Sequence, residues 1–248
     1  MSVSDEMLNR PSRRLGIIAA LPGEARALAR LRPRGRARLA ANAELLLSGM
    51  GAERARAAAV TLADDGVDAL VSWGTAAALA PGIDPGALVL ASEVLGADGR
   101  IWATDATWRA EWVAALAPTC QVFEQTLVET PEPVADPAAK RALHEQSGAI
   151  ACDMESAAIA AVAAGRGLAF VSVRAIIDDV SMALPPVARA AMDADGRLRP
   201  AALMAAMAGR PSSMHVQLRA LKNLAVAFRA ARIALADVAR VVREETTT

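Results

Sequence analysis

The sequence predicts an α/β protein built on a largely parallel sheet covered by helices on both faces. Strand-like apolar runs alternate with alanine-rich stretches of helical length along most of the chain, as consecutive βα units require. Glycine, proline and acidic residues cluster where those runs end, marking turns. A length of 248 residues, 54% of them hydrophobic, suffices for one sizeable core.

Taken in order, Leu15–Leu21 is the first predicted strand and Glu44–Ser48 another. Gly49-Met50-Gly51 then turns into a helix from Glu53 to Asp65. Val67–Trp73 is a third strand, running into the small-residue turn Gly74-Thr75-Ala76-Ala77-Ala78. Ala87–Leu95 and Gln121–Val128 also have strand character. Pro131, Pro133 and Pro137 mark a loop before a helix over Asp136–Gln146. Ala149–Cys152 is a short strand, followed by a helix from Met154 to about Ala164, and Leu168–Ile177 is the last core strand. Leu184-Pro185-Pro186 opens a different stretch, with turn signals at Asp195-Gly196 and Gly209-Arg210-Pro211 and one long helix from Met214 to Val242. The expected organisation is a polar tail (1–14), an α/β core (15–183) and a helical C-terminal extension (184–248).

The formal net charge is zero, which argues against nucleic acid as a partner. The charge is nonetheless uneven. Residues 1–60 carry 11 basic and 5 acidic side chains, residues 61–183 carry 6 and 17, and residues 184–248 carry 10 and 5. Basic ends around an acidic middle hint at contact with anions, or are simply solvated helix faces. Two cysteines, Cys120 and Cys152, without a CxxC pair, provide neither a zinc site nor a disulfide framework and suit a reducing cytoplasm. Residues 1–14 contain no apolar signal core. The longest apolar run, Ala69 to Ile83, is interrupted by Gly74, Pro81 and Gly82, short of the ~20 residues a membrane span needs. His144 and His215 lack metal-ligand spacing, so no metal is expected.

Chemistry-bearing residues fall at the ends of predicted strands, where open α/β sheets place their ligands. They are Pro22-Gly23-Glu24, Gly49-Met50-Gly51, Trp73-Gly74-Thr75, Asp153-Met154-Glu155 and Asp178-Asp179. Each alone has an ordinary structural explanation. Gly49-x-Gly51-x-x-Arg54 lacks the third glycine of a dinucleotide fingerprint. Glu24 and Glu155 could be acids favoured in a first helical turn, and Asp178-Asp179 a strand-end turn.

Together, and in order, five segments resemble the signatures of the nucleoside phosphorylase and nucleosidase superfamily. They are Gly16–Glu24, Ser48–Gly51, Gly74–Ala76, Asp153–Ala158 and Val173–Asp178. A well-known branch that they are similar to is methylthioadenosine/S-adenosylhomocysteine nucleosidase, and the resemblance covers roughly residues 15–180. It implies a three-layer phosphorylase/hydrolase-like fold, a mixed central sheet flanked by helices, and a homodimer. It also implies an enzyme that cleaves the N-glycosidic bond of an adenine nucleoside. Asp178 matches the general acid that protonates the base, and Glu24 the residue that orients the attacking water. Glu155 matches the clamp on the ribose hydroxyls and Met154 the residue beneath the sugar, while Thr75 and Gly74 sit where relatives bind the nucleophile or sugar. These roles suit the reaction: oxocarbenium character builds on the ribose and negative charge on the departing adenine.

The chain also departs from that pattern. Ile177 stands where nucleosidases usually carry the serine that positions the acid, a role the neighbouring Asp179 is placed to assume. Phosphorolytic relatives place arginines where this chain has Glu24 and Ser72. Water is therefore the expected nucleophile and no cofactor is needed. Inorganic phosphate remains the alternative co-substrate, with Arg26, Arg54 and Gly51 as its candidate ligands. The adenine-recognition loop is expected near Phe123–Val134.

About 70 residues follow Asp178, and this extension makes the chain resemble the hopanoid-associated phosphorylase branch, which is linked to removal of adenine from adenosylhopane. Alternatives are a nucleosidase for soluble thioadenosines and an inactive nucleoside-binding module. In the last helix Leu221, Leu224, Phe228, Ala231, Leu235, Val238 and Val242 form one apolar stripe, with six basic residues in a neighbouring sector. The stripe packs on the core or across a dimer, or else the helix lies with Leu184–Pro211 on an anionic inner-membrane surface.

Overall fold

The computed structural model describes residues 13–184, 199 and 214–247. Most of the predicted tail, the turns at Asp195-Gly196 and Gly209-Arg210-Pro211, and nearly all of Leu184–Pro211 lie outside them. Among the described residues, 11 strands join into one mixed sheet.

Its first strand is β1 (Leu15–Ala19), fully buried and largely apolar. After the short helix α1 (Pro22–Ala25), the hairpin β2 (Arg36–Ala40) and β3 (Ala43–Leu47) places β3 parallel to β1. Helix α2 (Ala52–Asp64) leads to β4 (Ala69–Ala78), which pairs parallel with β1 on one side. The expected turn at Gly74–Ala78 is instead the continuation of this ten-residue strand. Small side chains let β4 bend there and exchange partners, so that Ala77 and Ala78 pair antiparallel with β10 (Ala151–Asp153).

The predicted strand Ala87–Leu95 is two, β5 (Leu88–Leu90) and β6 (Glu93–Leu95). After β7 (Ile101–Ala103) and helix α3 (Ala106–Leu116), the predicted strand Gln121–Val128 likewise divides, into β8 (Val122–Phe123) and β9 (Leu127–Glu129). In each pair the first strand joins the β11 side (Ala169–Asp178) and the second joins the β10 side. Local sequence patterns carry no signal for such a change of neighbour. β2, β7 and α3 have no counterpart among the predicted elements: β2 and β7 are short, partly exposed edge strands with no fully buried residue, and α3 buries only Trp108, Trp112 and Leu116.

Helix boundaries follow capping chemistry. Asp105 caps α3 through Trp108 N at 2.9 Å. Asp136 accepts from Ala138 N and Ala139 N at the start of α4 (Pro137–Ser147), where Pro137 needs no hydrogen-bonded N–H. Gly148 ends α4 in the left-handed conformation.

Two apolar clusters cover the sheet, which completes the three layers. One contains α2 and α5 (Ser156–Arg166). The other contains α3 and the long α6 (Met214–Thr247). The α6 stripe packs on the sheet, with Leu224, Ala231, Leu235, Val238 and Val242 all buried. Glu245 latches the end of this helix, accepting from the indole N–H groups of Trp108 at 3.1 Å and Trp112 at 2.8 Å.

Candidate active site

The carboxyl ends of β1, β3, β4, β10 and β11 converge on a cavity of about 440 Å³. Glu24, Thr75, Met154, Glu155 and Asp178 all line it. Apolar side chains line the same cavity: Leu184, Leu221, Leu224 and Phe228, the last three from α6. Residues more than 200 positions apart thus share one site because α6 packs against β11.

Glu24 is held by three donors. Its Oε1 accepts from Thr75 N at 2.9 Å and Thr75 Oγ1 at 2.7 Å, and its Oε2 accepts from Leu21 N at 3.0 Å. The Trp73 indole donates to the Glu24 carbonyl at 2.9 Å, fastening α1 to β4. Glycine is required at 74 by close approach. A Cβ there would collide with the Arg174 guanidinium and come within 2.8 Å of Glu24 Oε1.

Glu155 precedes α5 and is 8% exposed. Its Oε1 accepts from Gly51 N at 2.8 Å, and Gly51 reaches this position with a φ of 101° that favours glycine. Burial, reinforced by Asp153 and Glu24 and opposed by Arg174, pushes the Glu155 carboxyl up to about 8. Beneath it, Asp153 pairs with Arg174 at 2.6 Å and accepts from Ser156 Oγ at 2.5 Å. Arg174 also donates to Ser72 Oγ at 2.5 Å and Ser156 Oγ at 2.8 Å.

Asp178 ends β11 and is 4% exposed. Its Oδ2 is bonded to the ammonium of Lys140, which projects from α4 and is fully buried. Burial raises the Asp178 carboxyl above the usual range even though Lys140 works against that rise. Asp179 does not compensate for the missing serine. Its Oδ1 accepts from Ser181 N, Ser181 Oγ and Met182 N, closing the turn that follows the strand. Ile177 lines the cavity.

The candidate phosphate ligands are arranged differently. Arg26 is exposed, Arg54 is half-buried, and neither lines the cavity. The Gly51 N–H is engaged by Glu155. Ser72, at the position of a phosphorolytic arginine, is occupied by Arg174. From the interval expected to recognise adenine, Thr130, Pro133 and Val134 reach the cavity. Sequence reasoning missed Lys140, whose only signal is that it is one of two lysines in the chain. It also assigned no part to Asp153 or Arg174, whose pairing depends on sheet register. No group of His, Cys, Asp and Glu able to hold a metal occurs among the described residues.

Four buried carboxyl groups, those of Glu24, Asp153, Glu155 and Asp178, lining one largely apolar cavity on a three-layer α/β scaffold, define an enzyme of the phosphorylase type. The chain belongs to the phosphorylase superfamily, whose family model matches residues 14–207. No curated protein matches by sequence. Similar solved structures include the 5′-methylthioadenosine/S-adenosylhomocysteine nucleosidase of Neisseria meningitidis bound to methylthio-immucillin-A. It is 18% identical with a TM-score of 0.63, over 90% of this chain and 97% of that one. The Streptococcus pneumoniae enzyme of the same name, with a transition-state inhibitor, is 22% identical with a TM-score of 0.60, over 88% and 98%. S-adenosylhomocysteine nucleosidase from Streptococcus pyogenes, with 5-methylthiotubericidin, is 23% identical with a TM-score of 0.60, over 70% and 86%.

Proposed function

We propose that this enzyme hydrolyses the N-glycosidic bond of an adenine nucleoside carrying a large apolar group on its 5′ side, with adenosylhopane as the substrate. The observation that carries the reading is the cavity's construction. Glu24, Glu155 and Asp178 share it with an aliphatic and aromatic wall of Leu184, Leu221, Leu224 and Phe228. Apolar walls with a few convergent polar groups are how proteins hold such ligands.

In this reading the C–N bond breaks with its electron pair leaving on adenine, and Asp178 delivers a proton to N7. Glu155 holds the ribose hydroxyls and faces the developing cation. A water positioned by Glu24 bonds to C1′ and passes its proton to that carboxylate. The products are adenine and a free reducing sugar. The committed bonds of Arg174 and the positions of Arg26 and Arg54 favour water over phosphate.

We infer that the outward face of α6 meets an anionic membrane surface. Leu218, Val226 and Ile233 are 50%, 62% and 60% exposed there, interleaved with exposed Arg219, Lys222, Arg229, Arg232 and Arg240. Aliphatic side chains among cations suit an anionic leaflet, and the same helix forms the apolar wall of the cavity. Among the described residues no helix is long and apolar enough to cross a membrane.

The test is incubation of the purified protein with adenosine, methylthioadenosine and adenosylhopane, with and without phosphate, quantifying adenine and the sugar product. Phosphate-independent release, fastest from the hopane nucleoside and suppressed by Glu24→Ala, is expected. A sugar 1-phosphate would overturn hydrolysis, and a preference for methylthioadenosine would return the chain to the soluble thioadenosine nucleosidases. Release from none of them would leave a nucleoside-binding module.

A further inference from the structure

Lys140 is the most deeply buried charged side chain near the site, with no exposed surface. An ammonium has three donors and no acceptor, and all three are used at one place. One goes to Asp178 Oδ2, one to the Asp179 carbonyl at 2.7 Å and one to the Met182 carbonyl at 3.0 Å. The two carbonyls belong to the turn that Asp179 closes with its own carboxylate, so Lys140 sits in a rigid socket. It occupies one oxygen of Asp178 and leaves the other to the cavity that Asp178 lines.

Among the described residues, the other ionisable groups around this pair are already engaged or neutral. From α4, the Asp136 carboxylate is taken by Ala138 N and Ala139 N. From the turn, Asp179 faces Ser181 and Met182. From β10, the Cys152 thiol is pushed up to about 12, chiefly by burial. Lys140 is thus the cation that answers Asp178.

We propose that Lys140 is the positioning residue for the acid: it fixes the Asp178 carboxyl in place of the missing serine and stabilises the carboxylate left when the proton passes from Asp178 to N7 of the departing adenine. The inference rests on Asp178 being that acid. The two influences on Asp178 oppose each other usefully. Burial favours the protonated form needed before the bond breaks, and the fixed ammonium favours the ionised form present afterwards. A serine could orient the carboxyl but could not supply the charge.

The experiment compares Lys140→Gln, which keeps hydrogen-bond donors without charge, with Lys140→Arg, which keeps the charge. Titration of the Asp178 carboxyl by carbon NMR, assigned through Asp178→Asn, should move upward by about one unit or more in Lys140→Gln. The alkaline limb of kcat/KM for adenine release should move with it, while kcat drops at least about tenfold at little change in KM. Lys140→Arg should restore most of the titration position. On the unmodified protein, the Lys140 ammonium nitrogen resonance should change position as Asp178 changes protonation state and on adding adenine, a readout that survives if Lys140→Gln does not fold. An Asp178 titration and alkaline limb indifferent to the loss of charge would make Lys140 a structural anchor. So would an ammonium signal that ignores Asp178. The NMR readouts need no turnover, so a chain that releases adenine from no nucleoside would overturn the functional reading while the coupling was still measured.

Discussion

The Gly51 N–H donates to Glu155 Oε1 at 2.8 Å, joining the loop after β3 to the start of α5 across 104 positions of sequence. That bond is one polar contact of a carboxyl which burial lifts to about 8 from 4.5. The folded protein therefore holds this proton up to about pH 8, whereas the unfolded chain releases it near 4.5. Its contribution to stability is complete below about pH 4.5 and is lost as pH rises through 8. Urea midpoints measured from pH 5 to 9 should decline less steeply in Glu155→Gln than in the unmodified protein. Parallel profiles would show that Glu155 is ionised throughout.

Asp178→Asn should reduce adenine release by about 10²-fold or more, because an amide supplies no acidic proton. It should also destabilise the fold, by about 3 kcal/mol, since the buried Lys140 ammonium loses its counter-charge. Adding Lys140→Gln to it should recover part of that stability and none of the activity. Thermal melts alongside adenine release per folded molecule separate the two losses.

Phe228→Ser tests the apolar wall. Phe228 lines the cavity but offers neither a proton nor a hydrogen bond to the reacting atoms, so adenosine turnover should persist. KM for an adenine nucleoside with a large apolar 5′ group should rise about tenfold or more, consistent with about 1.5–3 kcal/mol for burying such a side chain. Equal effects on both substrates would place Phe228 outside the 5′ subsite.

Pelleting with vesicles tests the outer face of α6. The protein should sediment with anionic vesicles, stay in solution with neutral ones and release at high salt. Val226→Glu with Ile233→Glu should abolish sedimentation and spare adenosine turnover. Removing the whole helix would not isolate this effect, because its other face is core. A change in molecular mass from the same pair of substitutions would instead assign the face to a homodimer.

Glu245→Ala should destabilise the protein by about 1–3 kcal/mol, leaving two indole N–H groups without their acceptor. Tryptophan fluorescence should report it directly, since Trp108 and Trp112 contact edge to face with centroids 5.3 Å apart. An unchanged emission spectrum and melting temperature would mean that apolar packing alone secures α6.

Long periodic segments are legible in the amino-acid sequence itself, because a helix or buried strand of ten residues repeats its signal many times. β1, α2, β11 and α6 start and end within a few residues of their expected limits, with α6 running five residues beyond Val242. Glu24, Glu155 and Asp178 are also legible, since each falls at the end of such a segment within a motif. Single-sequence patterns do not divide Ala87–Leu95 or Gln121–Val128, because the break depends on which strand lies alongside. The partner of Asp178 is equally hidden. Asp179 is adjacent in sequence, but the turn it closes directs it away, and Lys140, 38 positions earlier, arrives on a helix. The apolar stripe of α6 left three environments open, and only tertiary packing chose among them. Amphipathicity specifies that one face must be covered; the sheet that covers it is assembled from residues more than forty positions away.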